Sequence, residues 1–192
     1  MLINRLEMED EEIAGGVFLR ALAPDDAFAL ASAYTRNRKH LEPWEPVRPD
    51  SFFTVEGQAE RIDSLLGQAA EGAVLPWVFE TSDGRIVGAV TLSGISRGPF
   101  CSSYIGYWVA ADQQNRGLAS AAVRQVCRIA RDREGLHRIE ASTLTENTGS
   151  QRVLQKCGFE PIGLAPNYLH INGAWRDCRI FQRVLHDHAP VP

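Results

Sequence analysis

The chain has no two cysteines close enough in sequence to share a metal or a redox dithiol: its 4 cysteines, Cys101, Cys127, Cys157 and Cys178, are scattered, and no C-x-x-C occurs. Its 5 histidines show neither H-E-x-x-H nor H-x-x-E-H spacing, so no metal is expected. Basic charge is in short supply. With 20 Lys and Arg against 24 Asp and Glu, the formal charge of −4 offers no field for a phosphate backbone, which excludes nucleic acid as a main partner. No apolar run approaches the roughly 20 residues of a membrane-spanning helix. Glu7, Glu9, Asp10, Glu11 and Glu12 stand where a secretory leader would carry positive charge, so the expectation is a cytoplasmic protein with reduced thiols and no membrane partner. Repeats and low-complexity tracts are also absent.

What remains is ordinary globular composition, 44% hydrophobic and 23% charged over 192 residues, enough for one domain with a sizeable core. The organisation expected is an acidic lead-in over 1–16, a folded domain over 17–186 and a C-terminal tail over 187–192. Val17-Phe18-Leu19 reads as a first strand. A helix starts at Pro24, and the proline-rich loop Glu42 to Pro49 ends it. Thr54 caps a second helix. Trp77 to Glu80 and Ile86 to Leu92 flank a turn at Ser82-Asp83-Gly84 and read as a hairpin, and Tyr104 to Val109 is apolar on both alternating faces, as in a strand covered on both sides. A third helix starts at Gly117, Ile139 to Leu144 is a strand, and Asn147 to Cys157 is a short helix stopped by Gly158. Asn172-Gly173 marks a final hairpin.

The segment Gln114-Asn115-Arg116-Gly117-Leu118-Ala119 joins an apolar strand to a helix start, where unpaired N–H groups and the helix dipole attract an anion. Small residues at 117 and 119 let the backbone approach a pyrophosphate. Read alone, the six residues serve equally well as a turn that needs glycine. Together with Asn147-x-x-Ser150-x-x-Val153-Leu154-x-x-x-Gly158-Phe159 about thirty residues on, and with the order of elements, they resemble the two cofactor segments of the GNAT N-acetyltransferases. Asn37 to Arg48 and Asn167 to Asp177 resemble the branch of that superfamily that acetylates the N-terminal alanine of a ribosomal protein.

The resemblance implies a mixed α/β, single-domain GNAT fold, a central twisted sheet of about seven strands flanked by about four helices. It implies acetyl-CoA as co-substrate, bound by Gln114, Asn115, Arg116, Gly117, Leu118, Ala119 and Ser120 together with Asn147 and Ser150. It also implies direct attack of an amine on the thioester, with backbone N–H groups near Trp108 or Val109 holding the carbonyl oxygen. The acceptor it points to is a protein N-terminus; a small amine such as an antibiotic or polyamine, and a non-catalytic acyl-CoA-binding module, are the alternatives. A homodimer is left open.

An α-amine of pKa about 7.8 is roughly one part in seven neutral at pH 7, whereas a lysine near 10.4 is about one part in 2,500, so a terminal amine needs only a weak base. Glu140 is the first candidate and Glu45 the second; the bland alternative for Glu140 is pairing with a neighbouring arginine. Glu45 alternatively recognises the substrate ammonium, with Trp44 packed over it. Many members of the family carry an acid tyrosine where this chain has Leu154, which leaves Ser150 to bind the sulfur or relay a proton. Tyr104, Tyr107 and Trp108 read as core and cofactor wall, and Tyr168, His170 and Trp175 as wall of the acceptor site. Arg116 and Arg124 either meet cofactor phosphates or are solvated.

Overall fold

Alternating segments and helical stripes assemble as one layer of strands between two layers of helices. The structure is a computed structural model that describes residues 10–189. Its strands are β1 (Glu11–Ala14), β2 (Val17–Ala21), β3 (Leu75–Thr81), β4 (Ile86–Ser96), β5 (Ser102–Val109), β6 (Arg138–Leu144), β7 (Glu160–Ile171) and β8 (Ala174–Val184). They form one sheet in the order β1-β2-β3-β4-β5-β6-β8-β7. Every neighbouring pair is antiparallel except β5 and β6, which a helical crossover joins in parallel.

The helices are α1 (Ala27–Leu41), α2 (Val55–Ala70), α3 (Leu118–Asp132) and α4 (Thr148–Lys156). Pro24 opens a 3-10 turn, Pro24–Asp26, in which Asp26 accepts from the Ala23 N–H at 2.8 Å, and α1 follows it. α2 and α4 start at their expected caps, where Thr54 Oγ1 accepts from the Gly57 N–H at 3.0 Å and Asn147 Oδ1 from the Ser150 N–H at 3.0 Å. One sheet face packs through Val78 and Ile86 against Leu30, Tyr34 and Ile62 of α1 and α2. The other packs through Leu19, Trp77, Val90 and Phe181 against Val123 and Val126 of α3 and Leu154 of α4.

The sheet has eight strands rather than about seven because part of the acidic lead-in is a strand. Gly15 and Gly16, at φ +54° and +75°, make a two-residue left-handed turn that folds Glu11–Ala14 back onto β2. Ile13 and Ala14 pack on the core, while Glu11 reaches Arg128 of α3 at 2.8 Å. Residues 1–9 of the expected lead-in and 190–192 of the expected tail lie outside the described residues.

A second departure positions the site. β5 is not covered on both sides: Tyr104 and Gly106 on the α1/α2 face are exposed. The ladder between β5 and β6 holds only over Ser102, Ser103 and Tyr104, paired with Arg138, Ile139 and Glu140. Beyond that point β5 stays with β4 to Val109 and β6 stays with β8 to Leu144. The two halves of the sheet therefore part like a V.

Candidate active site

The gap between β5 and β6 is a cleft of about 380 Å³ that passes through the sheet from one face to the other. On the α3/α4 side it is lined by Gln114, Asn115, Leu118 and Ala119 at the start of α3 and by Asn147, Ser150, Val153 and Leu154 of α4. On the opposite side His40, Trp44 and Glu45, at the end of α1, face Leu169 and Ile171 of β7. The walls between are Ile105 to Val109 and Ala141 to Leu144. Such a passage suits a long, thin ligand that enters by one face and presents its end to a second ligand at the other.

At the α3 end the backbone is built for an anion. Gly117 is the N-cap of α3 at φ +81° and ψ 0°, and no side chain caps the first turn, so the dipole end and its N–H groups are open. Asn115 is also left-handed, at φ +60°. A Cβ placed on Gly117 would meet no protein atom within 4 Å, so the space beside it is open. Arg116 turns away: its guanidinium is held by Gln113 and by the Gly15 carbonyl at 3.3 Å. Arg124 bonds the Lys156 carbonyl at 3.2 Å and ties α3 to the end of α4. Arg116, Gly117 and Ser120 lie beside the cleft rather than on its wall.

Midway, polar groups sit on an otherwise apolar wall. Ser150 Oγ lies 2.9 Å from the hydroxyl of Tyr107, which enters from β5; burial pushes that phenol well above its ordinary range and keeps it protonated. Thr143 on β6 is buried and its Oγ1 has no hydrogen-bond partner. An orphaned hydroxyl on a cleft wall is what a hydrogen-bonding ligand satisfies, so the residues fit the amide-bearing arm of a pantetheine.

At the end of β5 the Ala110 N–H donates to Val87 of β4 at 2.8 Å. Backbone direction alternates along a strand, so Val109 presents its N–H and C=O to the gap, and the Val109 carbonyl accepts from His40 Nε2 at 3.2 Å. Of the two positions expected to hold an oxyanion, Val109 rather than Trp108 faces the cleft with its backbone. Trp108 contributes its ring, with the indole N–H donating to Tyr34 at 3.1 Å.

The two carboxylates expected as bases part company. Glu45 lies on the cleft wall, 3.5 Å from Arg48, and its backbone carbonyl accepts from Asn172 at 3.1 Å, which fastens the proline loop to the tip of the last hairpin. Glu140 is off the wall and ion-paired to Arg138 at 2.6 Å, the bland alternative. Tyr168 and His170 are likewise off the wall, and the His170 ring packs on Trp175. Residues of opposite parity, Leu169 and Ile171, line the cleft instead. Irregular pairing between Pro161 and Gly163 and between Ala165 and Leu169 resets the alternation of β7, so only counting back from the Asn172-Gly173 turn would have found them. His40, Thr143 and the polar role of Tyr107 had no local signal.

A parallel strand pair split beside an uncapped helix start gives a through-cleft with an anion-binding end, the arrangement expected of an acyltransferase whose thioester donor carries a pyrophosphate. Comparison with known proteins agrees. The family model described as acetyltransferase (GNAT) domain matches residues 17–160, and the chain belongs to that family, an acetyl-CoA-dependent N-acetyltransferase. It is 33% identical over 160 residues to the [Ribosomal protein uS5]-alanine N-acetyltransferase of Escherichia coli, covering 83% of this chain and 82% of that protein. Among solved structures, the ribosomal-protein-S5-alanine acetyltransferase of Vibrio fischeri superposes with TM-score 0.89 at 32% identity, covering 94% of this chain and 98% of that one. Mycobacterium smegmatis RimJ in complex with CoA-disulfide superposes with TM-score 0.85 at 35% identity, covering 91% and 85%.

Proposed function

We propose that this enzyme acetylates the α-amine of a protein N-terminus, with a ribosomal protein as the acceptor. The observation that carries the reading is the charge of the acceptor side: Glu45 is the one carboxylate on the cleft wall among the described residues, beside the exposed ring of Trp44. A single carboxylate matches a single ammonium, whereas a polyamine calls for several. The names of the E. coli and V. fischeri relatives support the same acceptor class.

In this reading the α3 start and Asn115 hold the pyrophosphate, and the pantetheine arm follows the gap past Asn147 and Thr143. Glu45 receives the acceptor ammonium and takes its proton, directly or through water. This is modest work for an α-amine already partly neutral at pH 7. The Val109 N–H is placed to hold the carbonyl oxygen as charge develops, and His40, bonded to the Val109 carbonyl, steadies that end of the strand.

The test is release of free thiol from acetyl-CoA with a panel of N-terminal peptides, lysine side-chain peptides, aminoglycosides and polyamines. N-terminal peptides should lead in kcat/KM. Preference for a polycation would replace this reading with the small-amine one, and tight CoA binding without turnover on any acceptor would leave an acyl-CoA-binding module.

A further inference from the structure

The family resemblance leads one to expect a tyrosine on the short helix, but α4 carries Leu154 there, fully buried in the core and without a proton to offer. The cleft nevertheless contains a phenol. Tyr107 reaches it from β5, the wall opposite α4, and its hydroxyl meets Ser150 twice, at Oγ (2.9 Å) and at the carbonyl (3.3 Å). Those two residues are 43 positions apart and come together only across the gap. Thr143, with its unpartnered hydroxyl, lines the same cleft from β6.

We infer that Tyr107 replaces the absent helix tyrosine: its O–H donates a hydrogen bond to the coenzyme sulfur as the thioester bond breaks, while Ser150 holds the phenol in place. The inference rests on the reading that the coenzyme arm runs through the gap, and it needs no particular acceptor.

In the balanced step the amine nitrogen forms a bond to the carbonyl carbon, the carbon–sulfur bond breaks and its electron pair stays on sulfur. The proton lost by the amine leaves through the acceptor-side base to water. Tyr107 gives up no proton, because burial keeps the phenol neutral; it acts as a donor to a charged acceptor, which is the stronger kind of hydrogen bond. Ser150 Oγ can donate to the phenol oxygen, and the phenol hydrogen, which the Ser150 carbonyl accepts at 3.3 Å, then exchanges that long bond for one to sulfur when the coenzyme is bound. The α4 start, capped by Asn147, adds its dipole in the same sense.

The test is to titrate the thiol of CoA bound to the full chain, following thiolate absorbance in the ultraviolet, beside free CoA. Other titratable groups near the sulfur are His40 and Glu45 on the cleft wall and Cys157 behind Tyr107, and all variants keep them. The thiolate fraction of bound CoA at a fixed pH near neutrality should exceed that of free CoA by about tenfold. Tyr107→Phe should abolish that gain with CoA affinity within about threefold of wild type, and Ser150→Ala should remove part of it. In turnover, Tyr107→Phe should lower kcat about 30-fold or more at unchanged KM for acetyl-CoA.

A bound thiol that titrates like free CoA in the wild type overturns the inference. So does a Tyr107→Phe protein that keeps the whole gain. A gain lost in Tyr107→Phe, in a wild type that acetylates no amine, would uphold the sulfur contact and defeat the proposed acceptor instead.

Discussion

Replacing Gly117 with alanine separates what the loop does for the fold from what it does for the ligand. At φ +81° an L side chain costs about 1–2 kcal/mol of backbone energy. The new Cβ meets no protein atom within 4 Å, so no further folding penalty arises. For a chain of this size that lowers the melting temperature by about 2–8 °C. The coenzyme is affected differently, because a methyl group at the mouth of α3 holds the pyrophosphate away from the first-turn N–H groups. Losing one charge-assisted hydrogen bond of about 1.5–3 kcal/mol weakens CoA binding by about 10- to 150-fold. The control is Gly135→Ala, at φ +62° with equally open space but in the turn between α3 and β6, away from the cleft. Calorimetric CoA titrations and thermal melts of both variants give the answer. Equal CoA affinity in the two, or wild-type affinity in Gly117→Ala, would refute the pyrophosphate placement.

Glu45→Gln should lower kcat/KM for N-terminal peptides by about a hundredfold while leaving CoA affinity alone; Glu140→Gln should keep turnover within about threefold and lower stability by about 1 kcal/mol, because Arg138 loses a charged partner. Steady-state kinetics with both variants decide between the carboxylates. Leu154→Tyr, which restores the residue expected on α4, should lower stability by about 1–3 kcal/mol in chemical denaturation without raising turnover, since Leu154 is 0% exposed and a phenol ring overpacks its site. Alkali should destabilise the fold through Tyr34 and Tyr107, whose phenols burial raises above the ordinary 10.0. The unfolded chain ionises them first, so the protection is whole below pH 10 and is lost as pH climbs from there toward the folded-state values. Denaturation midpoints that stay flat above pH 10 in the wild type, or that fall as steeply in Tyr107→Phe, would contradict this.

The conformation of the 114–119 loop was legible because its signals are local: Gly117 stands at one helix start, Asn147 at another, and both helices begin there. The acceptor side was harder. Glu140 and Glu45 are both carboxylates near family segments, and nothing in their neighbours' identities says that Arg138 engages one while the proline loop carries the other into the cleft. Tyr168 and His170 were assigned by segment, and two irregularities in β7 turned their neighbours inward instead.

Periodicity, capping residues and turn glycines settle the elements, since each acts over a few residues of one chain segment. That is why the order of strands and helices, the open helix start at Gly117 and the family could be read before any coordinates. The opening of β5 from β6, the meeting of Tyr107 with Ser150 and the pinning of Val109 by His40, 69 residues away, depend on how separate elements pack. Those contacts join residues through space, and no local preference encodes them. The binding of an acyl thioester could thus be read along the chain, but the groups that would move protons and hold charge came into view only in three dimensions.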